Sequence, residues 1–150
     1  MIAYKIRQAD PKDLDEIIQL CAEHAAYEQA SYSPVGKIEK LKDMIFGPHA
    51  KLYCLLVESD GKILGYATFS NECSTWSADY YIHMDCLFLR ESYRGYGIGE
   101  ALVNAIVEHA KQSHAHHIEW QTPVFNERAI KFYNRIGATA KEKLRFTLNF

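Results

Sequence analysis

No two of the four cysteines stand in Cys-x-x-Cys spacing; Cys21, Cys54, Cys73 and Cys86 are scattered along the chain. That removes the common zinc and thioredoxin-like sites. It points to free thiols in the reducing cytoplasm. An excess of basic charge is also missing. The net charge is -2 at pH 7, whereas a general nucleic-acid binder carries a basic balance or stripe. No apolar run is long enough for a membrane span, which needs roughly 18 residues. The opening "MIAYKIRQAD" lacks the basic-then-apolar order of a signal peptide. A mature cytoplasmic chain that begins on a strand is expected.

What is present is ordinary globular material, 48% hydrophobic and 24% charged over 150 residues. One domain over 1–150 is expected, burying roughly 68–70% of its unfolded surface without staples. Seven histidines is a high count, and "HAHH" holds His114, His116 and His117. No Cys/His partner lies elsewhere at ligand spacing. The segment reads as a solvated turn leading into a strand, and no metal is expected.

"YKIRQA" alternates and reads as a strand. A helix follows, with Asp10 as cap, Pro11 at its first position and Asp13 at its positive end. Leu14, Ile17, Ile18 and Cys21 form its apolar stripe. "SPVGKIEKLKDMIFG" is a shorter helix with Ile38, Leu41 and Ile45 inward, stopped by Gly47-Pro48. "KLYCLLVESDGKILGYATFS" is a hairpin turning at Asp60-Gly61. "DYYIHMDCLFL" is apolar nearly throughout and reads as a central strand. A glycine-rich turn and a helix follow, then "HIEWQTPV" as a strand. "NERAIKFYNRIG" is a helix closed by Gly137, and "KLRFTLNF" is a last strand. Hairpins mixed with crossover helices imply an α/β fold on a mixed sheet rather than a regular doubly wound one.

In "SYRGYGIGEALVNAIVEHA" three glycines, Gly95, Gly97 and Gly99, open an otherwise good helix. Glycine weakens helices and strands alike. A helix start, however, has unpaired N–H groups and roughly half a positive charge. Glycines remove the Cβ atoms that would hold a ligand away, so such a segment can cradle a di-anion. Arg94 adds a charged donor. A Walker loop needs Gly-Lys-Ser/Thr, which is missing. A G-x-G-x-x-G fingerprint fails at Ile98 or at Leu102. A kinase loop would be followed by a strand. An anion cradle and a ligand-free strand-to-helix turn remain.

Arg94-x-x-Gly97-x-Gly99 resembles the acyl-CoA signature of the GNAT N-acetyltransferase superfamily, which lies between the fourth strand and a helix. "FNERAIKFYNRIGA" is similar to that family's second motif, and the element order matches over nearly the whole chain. "AAYE", "MDCLFLRESYRGYGIG" and "AIKFYNRIGA" look most like the spermidine/spermine (diamine) branch. The resemblance implies a mixed sheet splayed at the acyl-CoA site and flanked by about four helices. It also implies acetyl-CoA as co-substrate. Backbone N–H groups of Gly95, Tyr96, Gly97, Ile98 and Gly99 would hold the pyrophosphate with Arg94. Leu87, Phe88 and Leu89 would pair with the pantetheine arm, and an N–H there could polarise the thioester carbonyl. Asn126 would reach the pantetheine or cap its own helix.

The acceptor amine must lose a proton, because an alkyl ammonium has a pKa of about 10.4. Asp85 is the first candidate base, set in an apolar strand at the place of a glutamate in the diamine branch; it could instead be a structural carboxylate. His83 lies two residues away on the same strand face. Tyr133 is the candidate acid for the CoA thiolate, or a core tyrosine at helical spacing. Tyr27 and Glu28 would line the acceptor site, with Glu28 and Asp85 bracketing a diamine, or form a solvated helix end. Glu100 has to point to solvent, away from phosphate. A small cationic amine, a polyamine or diamine, is the expected acceptor. An aminoglycoside, a thialysine-like amino acid or a protein N-terminus is the alternative, and a non-catalytic CoA-binding module is the reading from another class. A homodimer is expected, with "KLRFTLNF" as a candidate pairing strand.

Overall fold

A computed structural model describes residues 1–150. Strand β1 (Lys5–Gln8) leads through a 3-10 turn (Pro11–Asp13) into α1 (Leu14–Tyr27), and α2 (Lys37–Phe46) follows. Strands β2 (Tyr53–Ser59), β3 (Lys62–Ser74) and β4 (Asp79–Leu89) come next, then a 3-10 turn (Glu91–Tyr93) and α3 (Ile98–Gln112). The short β5 (Ile118–Glu119) and α4 (Glu127–Arg135) complete the order. The sheet runs β1-β2-β3-β4-β5. Its pairs are antiparallel except β4–β5, which is parallel. The mixed α/β sheet and four α-helices match the expectation.

The sheet separates two apolar layers. Leu55, Val57, Ala67, Phe69, Ile82 and Met84 pack under α3, which contributes Ile98, Leu102 and Ile106. On the other face Leu56, Ile63, Tyr66 and Phe88 pack under α1, which contributes Ile17 and Leu20. Leu14, Ile17 and Ile18 are buried as read; Leu20 joins them, while Cys21 is only partly covered. Of the α2 stripe, Leu41 and Ile45 reach the core and Ile38 stays exposed.

The α1 entry differs from a simple acidic helix start. Asp10 accepts from Lys12 N at 3.0 Å, and Asp13 accepts from Asp10 N at 2.8 Å, so each satisfies an orphan donor of the turn. Asp13 is itself buried and takes a two-pronged bond from Arg7, at 2.7 and 2.9 Å.

Two expected strands are corrected. "HIEWQTPV" pairs only at Ile118–Glu119, because the chain bends away from β4 beyond that point. "KLRFTLNF" forms no strand. Leu144, Phe146, Leu148 and Phe150 stand exposed, and the last backbone hydrogen bond of the chain runs from Ala138 N to Tyr133 O. An alternating pattern makes a strand only where it pairs with a partner edge, and this segment pairs with none.

Candidate active site

The site grows from a split in the sheet. β4 pairs with β5 only at Ile82 and His83. From Met84 to Leu89 its β3 side stays laddered while its other side is open. The sheet is splayed there, as expected of the fold.

A bulge sits at the branch point. Thr68 faces Cys86 while Phe69 faces Met84, so Asp85 is the extra residue. It reverses the alternation of β4. Ile82 and Met84 face the α3 layer before it, Leu87 and Leu89 after it, while Cys86 and Phe88 turn to the α1 layer. Asp85 thereby escapes burial. Its side chain is 61% exposed, with His83 Nε2 at 3.9 Å, so the apolar surroundings expected for it are not found. His83 and Asp85 do lie together, as expected.

At the end of β4, Gly95 and Gly97 adopt positive φ of 87° and 79°. A Cβ at either would meet nothing within 4 Å. Gly97 precedes α3 with no side chain capping the helix, so its first N–H groups face open space. This is the geometry of an anion cradle, and it fits the phosphates of an acyl-CoA. Gly99 serves packing: a Cβ there would stand 3.3 Å from Phe132 Cζ. Ile98 is fully buried and offers only its backbone, Tyr96 is exposed, and Glu100 is exposed as required.

Arg94 reaches across the site. Its Nε donates to Leu89 O at 2.7 Å, and its guanidinium lies 4.3 Å from the Tyr27 ring centre and 5.3 Å from that of Phe88. The Leu89 carbonyl is therefore already engaged. Tyr27 OH donates to Asn126 Oδ1 at 3.1 Å, tying the end of α1 to the start of α4. Asn126 also accepts from Ala129 N at 3.3 Å as the α4 cap, the second role read for it.

Tyr133, on α4, stands edge-on to Trp120 at 5.0 Å. Burial, then the nearby Glu28, Tyr27 and Cys86, push its hydroxyl up to about 12. Glu28 and Tyr27 therefore lie near enough to Tyr133 to act on its proton affinity. His24 was not singled out by the sequence. Its Nδ1 lies 3.0 Å from Tyr66 OH and its Nε2 3.2 Å from Glu28 Oε1, and its ring stacks on Phe88 at 5.1 Å. The i,i+4 spacing of His24 and Glu28 on one helix was the available signal. In the "HAHH" turn, His116 bonds Asp79 at 2.6 Å and His117 bonds Glu119 at 3.0 Å.

The sequence profile of the Acetyltransferase (GNAT) family matches residues 13–138. The chain belongs to the GNAT acetyltransferase family. This GNAT chain is similar to the mouse (Mus musculus) thialysine N-epsilon-acetyltransferase, 25% identical over 146 residues covering 92% of this chain and 85% of that one. It is 24% identical over 143 residues to the human (Homo sapiens) spermidine/spermine N(1)-acetyltransferase-like protein 1, covering 90% of this chain and 20% of that longer one. The crystal structure of a transcriptional regulator from Bacillus halodurans C-125 shares its fold, with TM-score 0.83, 22% identity, and coverage of 97% of this chain and all (100%) of that one. Membership makes the GNAT chain an N-acetyltransferase of amines. No helix in it is long and apolar enough to cross a membrane.

Proposed function

We propose that the chain transfers the acetyl group of acetyl-CoA to a primary amine of a small cationic acceptor, a polyamine or diamine. The observation that carries this is the uncapped glycine turn at the end of β4, whose edge is open beyond His83, with Tyr27 bonded to Asn126 and Glu28 near enough to Tyr133 to raise its proton affinity. The N–H groups of Gly95 to Gly99 and Arg94 hold the pyrophosphate. The free edge at Leu87, Phe88 and Leu89, with Asn126, guides the pantetheine. Glu28 binds the reacting ammonium, and the exposed Asp85, with His83, binds the far charge at the mouth.

Tyr133 delivers its proton to the departing thiolate. Its raised proton affinity keeps it protonated at neutral pH. A cation on Glu28 offsets part of the field that raises it, so acceptor binding makes the phenol a better donor. The mouse thialysine enzyme suggests a second acceptor class, an amino acid with a side-chain amine. We also read the exposed apolar side of 144–150 as the contact of a homodimer.

The test is thiol release from acetyl-CoA across diamines, polyamines, aminoglycosides and diamino acids. Turnover is expected, fastest with diamines or polyamines. The Tyr133→Phe variant should lose about 10²-fold in kcat with little change in acetyl-CoA affinity. No turnover with any amine would end the reading, and an unchanged kcat would remove Tyr133 from it.

A further inference from the structure

The proton of the acceptor ammonium needs a place to go. An ordinary carboxylate, with a pKa near 4, is a poor receiver for a proton held at about 10.4; an imidazole near 6.5 is better matched. The imidazole of His83 is paired with an exposed acid at the mouth. The imidazole of His24 lies behind Glu28, its side chain only 13% exposed and Glu28's 31%.

Resting on the proposed function, the geometry points to His24 as the proton relay of this acetyltransferase, acting through Glu28. Tyr66 OH can donate to Cys21 Sγ, 3.6 Å away. In that arrangement His24 Nδ1–H donates to Tyr66 at 3.0 Å, and Nε2, 3.2 Å from Glu28 Oε1, is open to a proton once the Glu28 carboxyl carries one. Glu28 takes the proton: an ammonium N–H bond breaks, its electron pair stays on nitrogen, and a carboxyl O–H forms. That proton then passes to Nε2. The imidazolium so formed has both N–H groups donated, one to the restored Glu28 carboxylate and one to Tyr66. The free amine can attack, and the relay later returns its proton to solvent through Glu28.

The surroundings suit a group that is empty at rest and can be filled briefly. Burial lowers the proton affinity of His24, so the ring is neutral before the acceptor arrives. Glu28 on α1 and Asp85 on β4 favour the charged ring, and Arg94 opposes it. Cys21 on α1, Tyr66 on β3 and Cys86 on β4 complete the titratable groups around it. Burial pushes all three upward, so none is an anion at neutral pH. The relay role goes to His24 because it alone joins an acceptor-facing carboxylate to a buried hydroxyl that can receive the second N–H.

His24→Gln and Glu28→Gln test this, with pH profiles of kcat/KM for the best amine of the panel. His24→Gln should lose about 10²-fold near pH 7, with acetyl-CoA KM unchanged. Its deficit should shrink as pH rises, because the rate now follows the free amine, about tenfold per pH unit. The wild type should level off earlier. Glu28→Gln should show the same steep profile and a raised amine KM. A purely structural role for His24 would lower the rate equally at all pH values. A flat ratio, or wild-type kcat in His24→Gln, overturns the relay. Should His24→Gln fail to fold, a wild-type profile in Glu28→Gln overturns it equally. Turnover by the wild type separates the two claims: without it the acetyl-transfer reading itself falls, and the relay with it.

Discussion

Asp13, in the turn before α1, is buried, and three hydrogen bonds compensate its charge. Arg7 grips both carboxylate oxygens, and the Asp10 N–H adds a third bond. These bonds, Arg7 first, hold the Asp13 carboxyl below the usual range against the cost of burial. A carboxyl depressed on folding contributes stability that is complete above its unfolded pKa of about 4 and is lost as pH falls through its folded value. Denaturant titrations should therefore show stability falling below about pH 4. Asp13→Asn should cost about 2 kcal/mol at pH 7, the worth of a charge-assisted bond at a buried site, and should show a shallower acid limb. If the variant kept the wild-type acid limb, other carboxylates would carry it. The same residue scale explains Tyr133. Burial sets its proton affinity first and Glu28 second, so its acidity can respond to whatever binds Glu28.

Among the elements, the turn before α3 and the bulge in β4 shape the proposed site. Positive φ at Gly97 is left-handed backbone, where a side chain costs about 1–2 kcal/mol. A Cβ there meets no protein atom, so any further cost of Gly97→Ala must come from a ligand. The variant should lose that 1–2 kcal/mol of stability in a denaturant titration, and calorimetry should show acetyl-CoA binding weakened at least tenfold. Lost stability with intact affinity would make the turn a connector only. Glycine spacing, the Asn126 cap and Tyr133 were legible in the sequence because they belong to local patterns: a turn that needs no Cβ, a cap three residues before the N–H it receives, a helix face. The bulge was not. Whether Asp85 faces core or solvent depends on which residue of β3 stands opposite, and nothing within "HMDCLF" records that. His24 escaped for a similar reason. A lone histidine on an amphipathic helix acquires meaning only when Tyr66, some 40 residues on, is brought to its other nitrogen.

For the whole molecule, the folded body and the tail obey different rules. The family match ends at residue 138, and so does the backbone hydrogen bonding. Beyond it, Leu144, Phe146, Leu148 and Phe150 alternate with Lys143, Arg145, Thr147 and Asn149, so an extended backbone puts all four apolar side chains on one face. Each would gain about 1.5–3 kcal/mol if covered, yet all four are at least 83% exposed in the single chain. In the proposed homodimer a second copy would cover the tail and receive the same cover in return, which is the self-complementary logic of a two-fold dimer. Sedimentation at micromolar concentration should give the mass of two chains for the full sequence and of one for a chain ended at residue 138. Phe146→Glu should also give monomers, by placing a charge in the apolar face without shortening the chain. Because the residues of the proposed site all lie within 13–138, the shortened chain should still bind acetyl-CoA. A full chain that sediments as one copy would remove the dimer, and a shortened chain that sediments as two would move the contact away from the tail.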